Sequence, residues 1–333
     1  IGIIGAGPAG LAAADMLRQK GYQVTIYDRY DRVGGLLIYG IPGFKLEKHV
    51  VQRRHKLLED GGVTFRLNVD VGSDITFEDI RGQHDAVLVA TGVYKARDIS
   101  APGVGMGGIV PALDYLTASN RKSLGDDVAD FESGLLNAEG RDVVVIGGGD
   151  TAMDCVRTAI RQNAKSVTCL YRRDRANMPG SQREVANAEE EGVDFRWLSA
   201  PQAFLGENHV RAVQAQKIHL GQPDATGRQV PQVIEDSSHE IPADLVIKAL
   251  GFDPEDIPAM FGAPELEVSK WGTIGVDWRT MMTNLPGVFA AGDIVRGASL
   301  VVWGVRDGRD AAESIHSYIM AQSEAPRTAA AGA

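Results

Sequence analysis

The sequence is short of cysteine, of positive charge and of long apolar runs. Two cysteines among 333 residues, Cys155 and Cys169, are too few for a disulfide-dense secreted scaffold or a four-thiolate iron–sulfur cluster, and they are too far apart for a C-x-x-C redox pair. Acidic residues outnumber basic ones, 44 against 34, which argues against a nucleic-acid-binding surface. No apolar run approaches the ~18 residues of a membrane span, and no signal peptide is evident. We therefore expect a cytoplasmic protein with no nucleic-acid or membrane partner, and two buried cysteines.

Glycine is present in excess. There are 39 glycines, against roughly 23 at the average usage of ~7%. No G-x-y period or Gly/Ser tract accounts for them, which excludes a collagen-like chain or a flexible linker. We therefore expect glycines at sharp turns and at places where backbone closely approaches another group.

The first 28 residues have the pattern strand, glycine turn, helix and strand. An apolar run leads into Gly5-Ala6-Gly7-Pro8-Ala9-Gly10, a helical stretch follows as far as Gly21, and an alternating segment ends at Asp28. In such a unit the glycines allow a tight turn, the approach of backbone to a pyrophosphate, and close packing of the helix on the strand. The helix N-terminus attracts the pyrophosphate, and the terminal acid is placed to accept hydrogen bonds from a ribose. The pattern predicts a dinucleotide site.

The same arrangement recurs 142 residues later. A strand over Asp142–Ile146 leads into Gly147-Gly148-Gly149-Asp150-Thr151-Ala152. A helix is predicted from Met153 to Ala164, and a second strand over Ser166–Leu170. Ala152 stands where the third glycine would be, which the fingerprint allows. This repeat predicts a second dinucleotide site in the same chain.

The two units differ in charge at the end of their second strand. Asp28 suits a ribose hydroxyl, whereas Arg172 and Arg173 suit the 2′-phosphate of NADP through charge-assisted, often bidentate hydrogen bonds. Each such bond contributes about 1.5–3 kcal/mol, or about a 10- to 150-fold preference for NADPH over NADH. The residues predicted to bind NADPH are Gly147, Gly149, Asp150, Thr151, Ala152, Arg172 and Arg173.

Later apolar strands complete the predicted fold. One ends at Gly92, one at Gly251, and a third at Gly292-Asp293. A helix is predicted after the third strand, from about residue 300 to 319, and its Gly304 and Gly308 would allow close packing on a neighbouring element. The chain is therefore predicted to be α/β, with two Rossmann-like three-layer dinucleotide-binding domains. The first domain is predicted over residues 1–108 and 270–333, and the second is inserted into it over residues 109–269. Residues 120–140 are predicted to be a polar connector.

Several of these segments together resemble a known family. The first glycine turn, Asp28, Gly34-Gly35, Thr91-Gly92 and Gly292-Asp293 are similar to those of flavoprotein reductases with two dinucleotide-binding domains. The resemblance implies that FAD binds to the first domain and NADPH to the inserted one. It also implies that Asp293 holds the flavin ribityl chain and that the next helix directs its N-terminus at the flavin. The FAD-binding residues that it implies are Gly5, Gly7, Pro8, Ala9, Gly10, Asp28, Gly35, Leu36, Thr91, Gly92, Gly292, Asp293, Ser299, Leu300 and Val301.

A closer resemblance is to the small (β) subunit family of NADPH-dependent glutamate synthases. Residues 35–46, Arg172-Arg173, Met178-Pro179-Gly180 and the acidic run 189–192 carry it, and it extends over nearly the whole chain. It implies hydride transfer from NADPH to FAD, then electron transfer through iron–sulfur clusters to a large (α) subunit that makes glutamate from 2-oxoglutarate and glutamine. The cysteine-rich segment that precedes the FAD domain in that family is absent here. We therefore expect [4Fe-4S] clusters only in upstream sequence or in the partner. The sequence starts at Ile1, inside an apolar run, and we expect from this that natural sequence upstream is missing.

Two alternatives stay open. Reductase modules of other iron–sulfur flavoenzymes share much of this pattern, and a non-enzymatic dinucleotide sensor would also retain both glycine turns. No catalytic acid or base is expected, because hydride transfer requires positioned cofactors rather than proton transfer by a side chain, and no metal site is expected. The acidic residues 189–191 are predicted to lie on a solvated helix face. The roles of Lys45, Arg53, Arg54 and Trp303 stay open.

Overall fold

The computed structural model describes residues 1–223 and 229–324. Its strands are β1 (Gly2–Ile4), β2 (Thr25–Asp28), β3 (Thr64–Leu67), β4 (Val87–Val89), β5 (Lys95–Ala96), β6 (Ile109–Pro111), β7 (Asp142–Ile146), β8 (Ser166–Leu170), β9 (Asp194–Arg196), β10 (Ser199–Gly206), β11 (Val210–Pro223), β12 (Gln229–Val233), β13 (His239–Pro242), β14 (Leu245–Lys248), β15 (Phe252–Asp253) and β16 (Val288–Ala290). Its helices are α1 (Pro8–Gln19), α2 (Leu36–Tyr39), α3 (Lys48–Asp60), α4 (Phe77–Gln83), α5 (Ala112–Ser123), α6 (Ala129–Glu132), α7 (Asp150–Arg161), α8 (Gln182–Glu190), α9 (Ile257–Phe261), α10 (Asp293–Arg296) and α11 (Val301–Glu324).

The chain forms two compact units. The first unit holds residues 1–38, 47–95 and 252 onward, and the second holds Tyr39–Leu46 and Ala96–Gly251. These borders differ from the predicted ones at 108/109 and 269/270. The Pro- and Gly-rich residues 102–108 belong to the second unit, because Phe204 N donates to Pro102 O at 2.8 Å. They are an internal turn rather than the linker that their composition suggested.

A parallel sheet forms the centre of the first unit. Its five strands lie in the order β16-β4-β1-β2-β3, and the pairings are parallel throughout. One face shares a buried core with α1 and α11 around Ile3, Leu88 and Phe289. The other face packs against residues that include Phe77 of α4 and Phe261 of α9. Since β1 is central, the glycine turn that follows it opens at the middle of the carboxyl edge.

The second unit repeats this plan with one difference. Its five parallel strands lie in the order β6-β14-β7-β8-β9. Helices α5, α7 and α8 cover one face and bury both cysteines, Cys155 and Cys169. The opposite face is covered by an antiparallel sheet, in which β11 pairs with β10, β12 and β13. The predicted α/β fold with two three-layer units is confirmed. In the second unit, one of the two outer layers is an antiparallel sheet rather than a layer of helices.

Most of the predicted elements are present, with shifted ends. The second nucleotide helix, α7, begins at Asp150 rather than at Met153, because Gly149 is its N-cap. The last helix, α11, extends to Glu324 rather than ending at residue 319. The prediction of a connector over residues 120–140 was wrong in part, because α5 continues to Ser123 and α6 follows. The polar Asn120 is buried in α5, and its Nδ2 donates to Tyr39 O at 2.8 Å.

Candidate functional site

The first glycine turn joins β1 to α1. Gly5 has φ of +110°, and a Cβ there would lie 2.3 Å from Ala90 O. A Cβ at Gly10 would lie 2.0 Å from Gly5 O, so neither position has room for a side chain. At Gly7 a Cβ would meet nothing within 4 Å, so the backbone before Pro8 and Ala9 faces open space. The turn therefore leaves the N-terminus of α1 accessible to a group such as a pyrophosphate.

Asp28 lies at the end of β2, beside this turn, and is only 8% exposed. Its Oδ2 accepts a hydrogen bond from Ala6 N at 2.6 Å and its Oδ1 accepts one from Tyr30 N at 2.8 Å. Burial raises the pKa of the Asp28 carboxyl, and the two backbone N–H groups oppose that shift. Each carboxylate oxygen has two lone-pair directions, so each can accept one further bond. The carboxylate therefore fits the predicted ribose contact.

A pocket adjoins the turn. Gly5, Asp28 and Thr91 line it, together with residues that sequence reasoning missed, among them Tyr30 and Tyr94. Thr91 Oγ1 is buried and has no hydrogen-bond partner among the described residues. A buried hydroxyl without a partner is costly, so this atom is suited to a ligand that supplies one.

A half-buried ion pair also lines this pocket. Arg29 donates two hydrogen bonds of 2.9 Å to the Glu255 carboxylate, and its guanidinium lies 4.9 Å from the ring centre of Tyr94. Burial raises the pKa of the Tyr94 phenol well above its usual range. No sequence signal links Arg29 to Glu255, since 226 positions separate them.

The loop before α2 lies against the first turn. Gly34 N donates to Ala6 O at 2.9 Å, and a Cβ on Gly35 would lie 3.1 Å from Gly7 Cα. Leu36 begins α2 directly after this loop. Gly35 and Leu36, both predicted to contact FAD, are therefore next to the accessible backbone of Gly7. Gly92 directly follows Thr91, at a φ of +73°.

Gly292 and Asp293 follow β16, as predicted. A Cβ on Gly292 would lie 3.0 Å from Ala9 Cβ, which places this strand end beside the start of α1. Asp293 accepts a hydrogen bond of 2.7 Å from the Ser299 hydroxyl, and burial raises the pKa of its carboxyl. Ser299 is therefore tied to Asp293.

Helix α11 begins at Val301 rather than after an N-cap at Ser299. Leu300 O accepts hydrogen bonds from Trp303 N and Gly304 N. The Ser299 side chain does not cap this helix, since its hydroxyl donates to Asp293. The side chains of Leu300 and Val301 are 59% and 40% exposed.

The second turn has the same geometry as the first. A Cβ on Gly147 would lie 2.2 Å from Ala249 O, whereas one on Gly149 would meet nothing within 4 Å. Ala152, in place of the third glycine, is fully buried. The middle residue, Gly148, was not predicted to matter, but a Cβ there would lie 2.3 Å from the Tyr171 ring.

The two predicted phosphate ligands follow β8. Arg172 is exposed and has no hydrogen-bond or ion-pair partner within residues 1–223 and 229–324. Arg173 is half-buried; its Nη2 lies 3.5 Å from Gln229 O, and its Nε is buried without a partner among the described residues. Both guanidinium groups therefore retain donors for an anion.

Asp150 and Thr151 form the first turn of α7. The Asp150 carboxylate, predicted to contact the nucleotide, accepts a hydrogen bond from Ser181 N at 2.9 Å. Gly180 N donates to Gly148 O at 2.9 Å. The segment that ends in Met178-Pro179-Gly180 therefore lies on the glycine turn. In the sequence, this segment is distinguished only by the family resemblance that it carries.

Lys45 takes part in an ion-pair network on α7. Its Nζ lies 2.8 Å from Asp154 Oδ1 and 3.7 Å from Glu184 Oε2. Arg157 donates to Glu184 at 2.6 Å and to Glu191 at 2.7 Å. The prediction that residues 189–191 form a solvated face was therefore wrong for Glu191, which forms ion pairs inside the unit.

Of the other residues left open, Arg53 is exposed, whereas Arg54 and Trp303 have contacts of their own. Arg54 pairs with Asp15 at 2.5 Å in the first unit. Trp303 is 41% exposed, and the Arg296 guanidinium lies 5.2 Å from its ring centre. Within the described ranges, no helix has the length and apolarity to cross a membrane.

Two parallel sheets, each with a glycine turn open at a helix N-terminus, define the class of α/β proteins that bind dinucleotides. A family model described as "Pyridine nucleotide-disulphide oxidoreductase" matches residues 1–325. The glutamate synthase [NADPH] small chain of Azospirillum brasilense is 69% identical over 331 residues, which cover 99% of this chain and 69% of the relative. That of Halomonas elongata is 47% identical over 324 residues, which cover 96% of this chain and 68% of the relative. The chain belongs to the pyridine nucleotide-disulphide oxidoreductase family and, within it, to the family of glutamate synthase [NADPH] small chains, which confirms the resemblance described above.

A solved structure shares the fold. Mycobacterium tuberculosis FprA in complex with NADPH matches with a TM-score of 0.81 and 19% identity, over 97% of this chain and 85% of that one. Despite the family description, Cys155 and Cys169 are both buried, and burial raises the pKa of the Cys169 thiol to about 12. Both cysteines are therefore buried core residues, as expected from the sequence.

Proposed function

We propose that this chain is an NADPH-dependent flavoprotein oxidoreductase, with FAD in the first unit and NADPH in the second. The observation that carries the proposal is the opposite charge at equivalent strand ends: Asp28 after the first turn, and Arg172 and Arg173 after the second. A carboxylate favours ribose hydroxyls and repels a 2′-phosphate, whereas guanidinium groups attract it. The family membership supports the same pair of cofactors.

The residues of the first unit fit FAD. The open backbone at Gly7 would accept the pyrophosphate at the start of α1, and Asp28 has lone pairs left for the adenosine ribose. The buried Thr91 hydroxyl has no partner in the described part of the chain, and a ligand in the adjoining pocket would supply one. Asp293, held by Ser299, would meet the ribityl chain, next to the N-terminus of α11.

The residues of the second unit fit NADPH. Gly149 leaves the N-terminus of α7 open for a pyrophosphate. Arg172 and the Nε of Arg173, which have no partner among the described residues, would donate to the 2′-phosphate. At the matching position of the first unit Asp28 is an acceptor, and the guanidinium of its neighbour Arg29 is paired with the Glu255 carboxylate.

When bound, NADPH and FAD would supply the redox chemistry, namely hydride transfer and the release of single electrons. The chain's own contribution is to bind and orient both groups. The partial positive charge at the start of α11 would stabilise negative charge on the reduced flavin ring. No side chain is required to donate or remove a proton in this scheme.

The wider assembly is part of the proposal. The relatives named above are small chains of glutamate synthase [NADPH]. We infer a large (α) subunit as the partner of this chain and iron–sulfur clusters, held outside residues 1–333, as the carriers of its electrons. Glutamate synthesis from 2-oxoglutarate and glutamine would then take place on that partner, in the cytoplasm.

The function is tested with purified protein under anaerobic conditions. The protein is loaded with FAD, freed of excess flavin and mixed with NADPH, and the flavin absorption band is recorded. We expect the band to bleach. A well-folded protein that binds neither nucleotide would overturn the proposal, and one that binds both without bleaching would be a sensor rather than an enzyme.

A further inference from the structure

The first residue of α7 is an acid at a place where a nucleotide phosphate is expected. A carboxylate at a helix N-terminus stabilises the helix but repels a phosphate there. In this structure the carboxylate of Asp150 has another partner, since its Oδ1 accepts the Ser181 N–H at 2.9 Å. The Asp150 carboxylate therefore has a hydrogen-bond partner within the protein.

A second hydrogen bond reinforces this attachment. Gly180 N donates to Gly148 O at 2.9 Å, in the middle of the glycine turn. A Cβ on Gly180 would lie 3.1 Å from Gly148 O, so the two backbones are in close contact. Two adjacent N–H groups thus bind the same turn from outside.

The segment between β8 and this attachment, residues 174–181, is here called the clasp. Asp174 Oδ1 accepts from both Asn177 N and Asn177 Nδ2 at 2.8 Å. The Tyr171 hydroxyl donates to Asn177 O at 3.3 Å, and the Tyr171 ring covers Gly148. The clasp is therefore a folded turn that is fixed to the glycine turn at its far end.

Arg172 and Arg173 lie between two fixed points. On one side, Ser199 N donates to Tyr171 O at 3.0 Å and Leu198 N donates to Arg173 O at 3.1 Å. On the other side, the clasp begins at Asp174. Long basic side chains lose less entropy on binding when their backbone is already fixed.

We propose that the clasp, held by the Asp150 carboxylate and the Ser181 N–H, positions Arg172 and Arg173 for the 2′-phosphate and so sets the preference for NADPH over NADH. Asp150 and Ser181 are positioning residues in this scheme and do not touch the nucleotide. The inference rests on the proposed function, because it concerns the selectivity of the NADPH site.

The test removes the backbone N–H donor of Ser181 from the attachment. Ser181 has φ of −56°, which proline adopts without strain, and its side chain makes no cap hydrogen bond. Ser181→Pro therefore deletes the N–H donor, whereas Ser181→Ala keeps it and is the matched control. Dissociation constants for NADP⁺ and NAD⁺ are measured by calorimetry on the FAD-loaded protein.

We expect Ser181→Pro to weaken NADP⁺ binding by about tenfold, the lower value for one lost charge-assisted contact. NAD⁺ binding should change by less than about twofold, since NAD⁺ lacks the phosphate, and Ser181→Ala should keep the wild-type ratio of the two constants. Equal losses for both nucleotides, or an unchanged ratio in Ser181→Pro, would overturn the inference.

Two substitutions of Asp150 give an independent test, because they are expected to have different effects on NADP⁺ binding. Asp150→Asn keeps an oxygen acceptor for Ser181 N–H and removes a negative charge near the phosphates, so NADP⁺ should bind as well as or better than in wild type. Asp150→Ala removes the acceptor and should lower the NADP⁺ preference as Ser181→Pro does. If both variants weakened NADP⁺ and NAD⁺ alike, Asp150 would be a direct ligand and the clasp would have no such role.

The failure of this inference is distinct from the failure of the proposed function. If the wild-type protein shows no preference for NADP⁺ over NAD⁺, the assignment of the second unit to NADPH is wrong. If wild type shows the preference and Ser181→Pro retains it, only the role of the clasp is wrong.

Discussion

The glycines of the first turn have two separable roles at the scale of single residues. Gly10 has no room for a methyl group, because its Cβ would lie 2.0 Å from Gly5 O, whereas Gly7 has open space. We predict that Gly10→Ala lowers the free energy of unfolding of the flavin-free protein by about 2 kcal/mol or more, because backbone must shift. Gly7→Ala should leave that stability within about 0.5 kcal/mol of wild type and still weaken FAD binding.

Urea unfolding and flavin titration measure the two effects separately. Gly7→Ala and Gly10→Ala serve as controls for each other, since they insert the same methyl group three positions apart. Equal destabilisation by both would contradict the reading of Gly7 as the open position, and undiminished FAD binding in Gly7→Ala would remove its assigned role.

Asp154 is predicted to make stability depend on pH. Burial raises the pKa of its carboxyl to about 6, although the Lys45 ammonium opposes the shift. Between about pH 4 and about pH 6 the folded protein therefore holds a proton that the unfolded chain has released, so the free energy of unfolding falls as pH rises through that window. The total change is on the order of 2 kcal/mol, and it should level off above the folded pKa.

Comparison of Asp154→Asn with wild type isolates this proton. Unfolding in urea at about pH 4.5 and about pH 7 should show a smaller fall in stability for Asp154→Asn than for wild type. The exposed Asp194, paired with Arg196 at 2.7 Å, offers a control substitution, Asp194→Asn, that should keep the wild-type slope. An identical slope in all three proteins would show that Asp154 is ionised throughout.

The residues whose place in the fold could be predicted from the sequence are those whose position depends on local backbone geometry. Gly5, Gly7 and Gly10 could be predicted from spacing alone, because a strand–turn–helix unit leaves few ways to place them. The contact of Asp150 with Ser181 joins residues 31 positions apart, and that of Arg29 with Glu255 joins residues 226 apart. Such pairs depend on how the chain folds back, and no local pattern encodes them.

At the scale of secondary-structure elements, the packing of α11 on α1 decides how the first turn is supported. A Cβ on Gly308 would lie 2.1 Å from Ala9 O and 2.9 Å from Ala9 C. We predict that Gly308→Ala forces α11 away from the start of α1, lowers the free energy of unfolding by about 1–3 kcal/mol and weakens FAD binding. Ser317→Ala, on the same helix, should change neither quantity by a comparable amount, because the Ser317 hydroxyl is exposed and bonds only to its own helix among the described residues.

Unfolding midpoints and FAD titrations of both variants check this prediction. Wild-type behaviour of Gly308→Ala would mean that the close approach of the two helices is not needed. The approach itself could be predicted from Gly304 and Gly308, which lie one turn apart on the helix. The helix that α11 approaches could not be predicted, because nothing in the sequence specifies which helix Gly304 and Gly308 face.

One segment of chain was assigned to the wrong unit from sequence. Residues 39–46 belong to the second unit, although they lie between two segments of the first. Phe44 lies under the Arg157 and Arg161 guanidinium groups, at 4.7 and 4.4 Å, and Lys45 pairs with Asp154. Aromatic and basic residues in a loop are read as surface features unless their partners are known. The contacts therefore became visible only in three dimensions.

At the scale of the whole molecule, the chain repeats one nucleotide-binding plan with a reversed charge. The α/β class, the two parallel sheets and the insertion of one unit into the other followed from the recurrence of the glycine turn. The borders between the units at residues 95/96 and 251/252 could not be predicted, because Gly- and Pro-rich stretches occur inside the units as well as between them. The charge reversal is the feature on which the proposed division of labour between FAD and NADPH depends.

The most direct test of that division is the rate of flavin reduction by each nucleotide under anaerobic, subsaturating conditions. Stopped-flow traces are compared for wild type and for the variant with Arg172→Ala and Arg173→Ala. We predict that wild type is reduced at least about tenfold faster by NADPH than by NADH, and that the double variant loses this preference while its rate with NADH stays nearly unchanged. Equal rates with both nucleotides in wild type, or equal losses with both in the variant, would contradict the account.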